Sequence, residues 1–386
     1  MREKSIGKWG VLVCLLMGSC GGGSSSITSP GGGPPGGGPP PTGGNATSGE
    51  YLFEGNSLPG LNVATIDSST GALGSPTLAG DFANNLSLYP GIALAPSNHF
   101  LYAFYTSFTL IQGFQVAGPG LQLNTLVESP FFPATSGFLT SMAIHPTGNF
   151  LYVIELPATI EEFSVDITTG NLTHASTLTE TADLRMAVID PGGKFLFVTD
   201  LTGGRIFAYQ IDHSNGSLST VAGSPFIVPA NGQPSVDAID SSGSFLYASL
   251  MSGGVAAFAI NSSTGVLADI PGSPFPTGSE TTSIVIAPSG KFMYASDTQD
   301  GLIDGFAIDP ISGALSGIMG SPFSTVPAPS SVVVDPSGKF LYALDSLTST
   351  IYGFSLDSSS GSLSTLTGSP FASVPNPINI SAVNIP

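Results

Sequence analysis

This chain of 386 residues has two cysteines, one tryptophan, four histidines and eight Lys and Arg together, so it is poor in the side chains that carry thiol, metal or polyanion chemistry. Cys14 and Cys20 both lie in the first twenty residues, which leaves everything after them without a disulfide or a thiolate nucleophile. Charged residues are only 9% of the chain, and they are unbalanced, with 8 basic against 26 acidic. Arg2, Glu3, Lys4 and Lys8 precede Cys20, so the remainder holds 5 basic and 25 acidic residues, a net charge of −20. A surface of that sign excludes nucleic acid and anionic lipid as main partners. The apolar run from Trp9 to Met17 is too short to span a bilayer as a helix.

That run has its own meaning. Basic residues, a short apolar core and then Gly18, Ser19 and Cys20 make residues 1–20 a secretory leader. Leu15, Leu16, Met17, Gly18, Ser19 and Cys20 resemble the lipobox of bacterial lipoproteins, with Met17 where Leu is usual, and Cys20 would be the lipidated residue. The rival is ordinary signal cleavage beside an incidental cysteine. Residues 21–48 are almost all Gly, Ser, Pro and Thr, a tether that would reach about 30 Å root-mean-square. No acidic residue follows Cys20 immediately, which in a Gram-negative cell resembles the outer-membrane pattern. The expected location is therefore the cell envelope, with the membrane touched through a lipid anchor only.

What the chain has in quantity is a repeat filling residues 49–386. An aromatic opens the same short apolar strand at Tyr51, Phe100, Phe150, Phe195, Phe245, Phe292 and Phe340, at spacings of 49, 50, 45, 50, 47 and 48 residues. Each copy has four short apolar runs separated by turn residues, with period-2 alternation and β-branched or aromatic content, so they read as strands A to D. In the last copy, Ser331–Asp335 is strand A, a Pro-Ser-Gly-Lys turn follows, and a Gly-x-Leu step at Gly361 leads into strand D. That step recurs at Gly71, Gly170, Gly216, Gly265 and Gly313, more loosely at Gly120. Seven such units predict an all-β, seven-bladed β-propeller of four-stranded blades in one domain. The first copy lacks strand A, and Ser381–Pro386 repeats the strand A pattern, so the C-terminal strand is expected to complete the first blade and remove the open edge.

In a propeller the A-to-B and C-to-D turns share one face, and the B-to-C and D-to-A connections share the other, here called the top. Lys194, Lys291, Lys339, His99, His145 and His213 fall in or beside the lower turns, and His174 in strand D, so no histidine is expected as a base at the top. Acids recur on the top at the end of strand B, at Glu155, Asp200, Asp297 and Asp345, and Arg185 and Arg205 open strands A and C of the fourth blade. Glu155, Arg185, Asp200 and Arg205 are therefore expected to converge, either as a ligand site or as plain ion pairs across a blade boundary. Asp297, Asp300 and Asp304 offer oxygen ligands without the Asp-x-Asp-x-Asp-Gly spacing, so they read as a solvated loop; no metal and no cofactor are expected. The Gly-Ser-Pro-Phe copies at Gly223, Gly272, Gly320 and Gly368, and the related Glu128-Ser-Pro-Phe, place Ser beside no His and read as structural turns.

The segments DPGGKFLFVTDLTGGRIFAYQID (190–212) and HPTGNFLYVIEL (145–156) resemble the lactonase family of seven-bladed propellers, with the likeness extending over residues 51–386. That family includes a 6-phosphogluconolactonase and a fungal muconate-lactonizing enzyme, and it shades into the non-enzymatic YVTN surface-repeat propellers. The resemblance implies a functional glutamate at Glu155, matched within Ile154, Glu155, Leu156. It implies an Arg-His pair where Arg185 and Met186 stand, and an Asp-Leu-Gly-x-Asp-Arg segment matched by Asp200–Arg205, with the two segments in the opposite order here. Two readings follow. One is a non-catalytic member binding a glycan, peptide or small ligand at the top of the central channel, through Glu155, Arg185, Asp200, Arg205, Asp297 and Asp345. The other is a lactone hydrolase using Glu155 or Asp200 to activate water, with Arg185 or Arg205 stabilising the oxyanion.

Overall fold

The computed structural model describes residues 49–56, 61–80, 91–95, 100–105, 109–117, 121–229, 232–323 and 326–385. The leader, the tether, Cys20, His99 and Gly120 lie outside them. The described residues form seven antiparallel sheets, each a blade with strands A to D in that order from one edge to the other, and no helix occurs among them. Closure follows the sequence expectation. Strand A of blade 1 is the C-terminal strand Pro377–Ile385, which pairs antiparallel with Gly49–Asn56, Tyr51 opposite Val383 and Leu52 opposite Ala382.

The chemistry of strand B explains why blades must sit side by side. In blade 4 (strand B Phe195–Asp200) every residue is buried, because both faces are covered. Phe195 and Phe197 pack with Leu246 and Ala248 of blade 5, whereas Leu196 and Val198 pack with Tyr152 and Ile154 of blade 3. A strand with one wet face would show alternation; this one reads as a continuous apolar run because its period-2 faces go to two different neighbours.

A second device fixes the spacing between blades. The C-to-D turn glycines have positive φ, +83° at Gly216 and +73° at Gly71, a conformation that costs an L side chain about 1–2 kcal/mol. Each also lies against the aromatic that opens strand B of the preceding blade: a Cβ on Gly216 would stand 2.5 Å from Phe150 Cδ1, and one on Gly71 would stand 2.5 Å from Phe340 Cδ1. Two residues along the same strand, a buried tyrosine donates its hydroxyl to that glycine's carbonyl, Tyr152 to Gly216 at 2.6 Å and Tyr342 to Gly71 at 2.7 Å. The pair recurs at Tyr102 and Gly170, Tyr247 and Gly313, and Tyr294 and Gly361. In blade 4 Phe197 stands in place of the tyrosine, so Gly265 receives the ring contact from Phe195 without the hydrogen bond.

The Ser-Pro motifs are equally local. Ser129, Ser224, Ser273, Ser321 and Ser369 each precede a cis-proline, and each Oγ accepts the N–H of a strand C residue, from Gly113, Ala208, Ala257, Gly305 and Gly353 at 2.8–2.9 Å. They satisfy backbone donors at the outer part of strand C, where strand D is short.

Candidate functional site

The acids at the end of strand B meet the loops that surround them. Asp200 is fully buried; its Oδ1 accepts the N–H of Asp183 and of Gly203 at 3.0 Å, and its Oδ2 takes Arg205 Nη2 at 2.6 Å and Nε at 3.0 Å. Asp297 accepts N–H groups from Asp300 and Glu280, and Asp345 accepts those of Leu347 and Thr348. A short acceptor at this position closes the B-to-C turn, since the turn's amides have no ladder partner.

Of the four residues expected to converge, the structure joins Asp200 to Arg205, whose Nε and Nη2 both donate to Asp200 Oδ2 and whose guanidinium lies 5.4 Å from the centroid of the Phe207 ring. Arg185 engages a residue that sequence reasoning passed over: its Nη2 donates to Asp183 Oδ2 at 3.2 Å, and its Nε stands 2.9 Å from Oδ1 without hydrogen-bond alignment. Glu155 has no cation partner among the described residues. It is fully buried; Oε2 accepts Thr135 Oγ1 and, at 3.2 Å, the N–H of Gly137, while Oε1 has no partner. Gly137 is required there, because a Cβ would fall 2.9 Å from Glu155 Oε2 and 2.3 Å from Leu156 O.

Glu155 forms part of the wall of a cavity of about 620 Å³ on the top face. The wall comes from the D-to-A connection entering blade 3 (Thr135, Ser136 and Gly137, with Phe138 opening strand A), from the B-to-C turn of blade 3 (Leu156, the cis-Pro157 and Thr159) and from Ala182 and Asp183 ahead of blade 4. From it a polar chain runs through two buried carboxylates, Glu155 and Glu161, out to the exposed His174 and Thr177. Thr135 bridges two carboxylates, giving its hydroxyl to Glu155 and its N–H to Glu161 Oε1 at 3.1 Å. Glu161 Oε2 in turn meets His174 Nε2 at 2.5 Å and Thr177 Oγ1 at 3.0 Å. Burial pushes the Glu155 carboxyl above the ordinary range, with a further push from Glu161, against the Thr135 and Gly137 hydrogen bonds that favour the ion.

The other sequence candidates lie elsewhere. His145, in the lower A-to-B turn of blade 3, is buried; Thr147 N donates to its Nδ1, so Nε2 carries the proton that reaches Gly193 O at 2.9 Å. Met186, at the position where the family resemblance implies histidine, has Sδ 3.2 Å from Ser141 Oγ. Asp304 is nearly buried, and desolvation raises its carboxyl, but no group of three or more His, Cys, Asp or Glu among the described residues is placed to hold a metal ion. Thr135, Asp183 and Glu161 were not singled out in sequence. The signal that could have found Glu161 is the Glu161-Glu162 pair inside the strand Thr159–Val165; no local pattern marks Thr135 or Asp183.

The profile described as lactonase, 7-bladed β-propeller, matches residues 91–274 and 180–382. The chain belongs to this family. Two 6-phosphogluconolactonases, from Pectobacterium carotovorum subsp. carotovorum and Pectobacterium atrosepticum, are each 31% identical over 116 residues, 28% of this chain and 34% of theirs. The match thus spans about a third of the length of these relatives. Among solved structures, Pseudomonas aeruginosa periplasmic gluconolactonase superposes with a TM-score of 0.70 at 19% identity, over 87% of this chain and 100% of that one, a likeness of fold.

Proposed function

We propose that this protein is a lactone hydrolase whose general base is Glu155. The observation that carries the reading is a buried carboxyl at a cavity wall, with one oxygen unpartnered and no cation holding it. Asp200, the other acid considered, is fixed by Arg205 and by two backbone N–H groups and has no comparable freedom. That difference separates the hydrolase from a purely ligand-binding propeller, because an acid locked in an ion pair takes no proton from water.

In the proposed step Glu155 removes a proton from water as its oxygen attacks the lactone carbonyl. The ring C–O bond then breaks, and the ring oxygen takes that proton from Glu155, which gives the open hydroxy acid and returns the carboxylate. Glu155 exposes no surface, so the Thr135–Gly137 segment that covers it has to shift for water to reach Oε1. Arg185 is paired with the wall residue Asp183 and does not itself line the cavity, so it is not assigned to the developing oxyanion. Acid release from a panel of γ- and δ-lactones by the purified protein tests the reading. Turnover above buffer is the expected result, and none across the panel would return the weight to ligand binding.

Export and lipid anchoring at Cys20 belong to the same proposal, and they rest on the leader's sequence alone. Cys20→Ser is expected to move the protein from the membrane fraction to the soluble one, as read by fractionation of expressing cells. Retention in the membrane fraction would sink the anchor.

A further inference from the structure

We infer that the substrate is an uncharged lactone carrying an apolar substituent, and not a phosphorylated sugar lactone; this rests on the hydrolase reading above. Among the described residues, those that line the cavity include two acids, Glu155 and Asp183, and no Lys, Arg or His. The charges around it add to the same sign. Glu161 lies behind Thr135 with His174 against it, and Glu180, a few residues before Asp183, accepts Tyr209 Oη at 2.9 Å. Arg185 is the one cation in contact with a wall residue among the described interactions, and its charge is already opposed by Asp183. A phosphate dianion placed here would face carboxylates and would find none of the planar, bidentate donors that recognise such a group.

The rest of the wall is built for something else. Phe138 opens a strand yet is 56% exposed, and it lines the cavity together with Leu156 and the cis-Pro157. An aromatic face left open at a concave site is surface that an apolar group gains by covering. At about 620 Å³ the cavity is in the range that holds a whole small organic ligand, more than a bare lactone ring needs. The hydroxyls of Thr135 and Ser136 lie on the same stretch as Phe138, so the ring's polar atoms and its substituent would meet one continuous segment.

Three probes decide the matter with the full-length protein: glucono-δ-lactone, its 6-phosphate, and a δ-lactone bearing a linear alkyl chain. Acid release is followed by titration and binding by calorimetry. The alkyl lactone is expected to exceed the phosphorylated one in kcat/KM by at least about 100-fold. Phe138→Ser, a change at a half-exposed side chain, is expected to lower kcat/KM for the alkyl lactone about tenfold. Equal or better turnover of the phosphorylated lactone overturns the substrate assignment and leaves the hydrolase standing. Binding of the alkyl lactone without turnover overturns the hydrolase and leaves the pocket's preference intact, and neither binding nor turnover of it overturns both. An alkyl-lactone kcat/KM unchanged in Phe138→Ser removes Phe138 as the group that selects the substituent.

Discussion

Deleting Pro377–Ile385 is expected to leave a chain that no longer melts as one cooperative unit. Those nine residues are strand A of blade 1, and they pair along the whole of Gly49–Asn56. Their loss strips about six to eight ladder hydrogen bonds at roughly 1 kcal/mol each. It also uncovers the cluster in which Ile380 meets Leu52, Phe340 and Tyr342, at about 1.5–3 kcal/mol for one large apolar side chain. Together this is comparable with the 5–15 kcal/mol or so that separates a folded domain from its unfolded ensemble. The deletion also opens an edge at Gly49–Asn56, which invites pairing with another chain. Thermal melts by near-ultraviolet circular dichroism, with soluble yield, give the readout. A single sharp transition at the parent temperature would show that the ring does not depend on its closing strand.

That the ring closes this way was legible because the repeat is written in full at every level. The missing strand A at the start and the spare one at Ser381–Pro386 are complementary gaps in one pattern, and register in a period-2 strand leaves little freedom once the buried face is set. The Gly-x-Leu turns were visible too, but their partners were not. Gly216 and Phe150 are 66 positions apart, and what links them is a contact between neighbouring blades that no local periodicity encodes. Blade 4 shows the tolerance of that device, for Phe197 omits the hydroxyl and the ring contact alone remains.

The site was less legible, for a physical reason. Position at the end of strand B marks Glu155, Asp200, Asp297 and Asp345 alike, yet the three aspartates accept amides of the B-to-C turn, whereas Glu155 accepts the Gly137 amide of the D-to-A connection. What sets Glu155 apart is the company of residues from other connections. Thr135 and Gly137 reach it from the preceding D-to-A loop, and Asp183 lines the same cavity from the following one. Arg205 is five residues from Asp200, a distance the sequence shows, and the structure pairs them. Arg185 could equally have been assigned to Glu155 or Asp200 by sequence; the two-residue separation from Asp183 is what captures it.

Replacing Glu155 by glutamine is expected to lower kcat for lactone hydrolysis by about 10²–10⁴-fold, the usual loss when a positioned base is removed. The amide keeps the shape and can still accept from Thr135 and Gly137, but it takes no proton from water. The pH dependence follows from burial. Desolvation raises the Glu155 carboxyl, and a base works only when ionised, so the parent's turnover should rise with pH along an acid limb lying above that of an exposed glutamate. The stability sign is opposite and separates a lost base from a damaged fold. With its pKa raised in the folded state, Glu155 favours folding when neutral, and that contribution is lost as pH rises through the folded value. Glutamine mimics the neutral acid, so above that value the variant should melt no lower than the parent while turning over far more slowly. Parent-like turnover in the glutamine variant, or an acid limb where an exposed carboxylate would put it, would take the role of base away from Glu155.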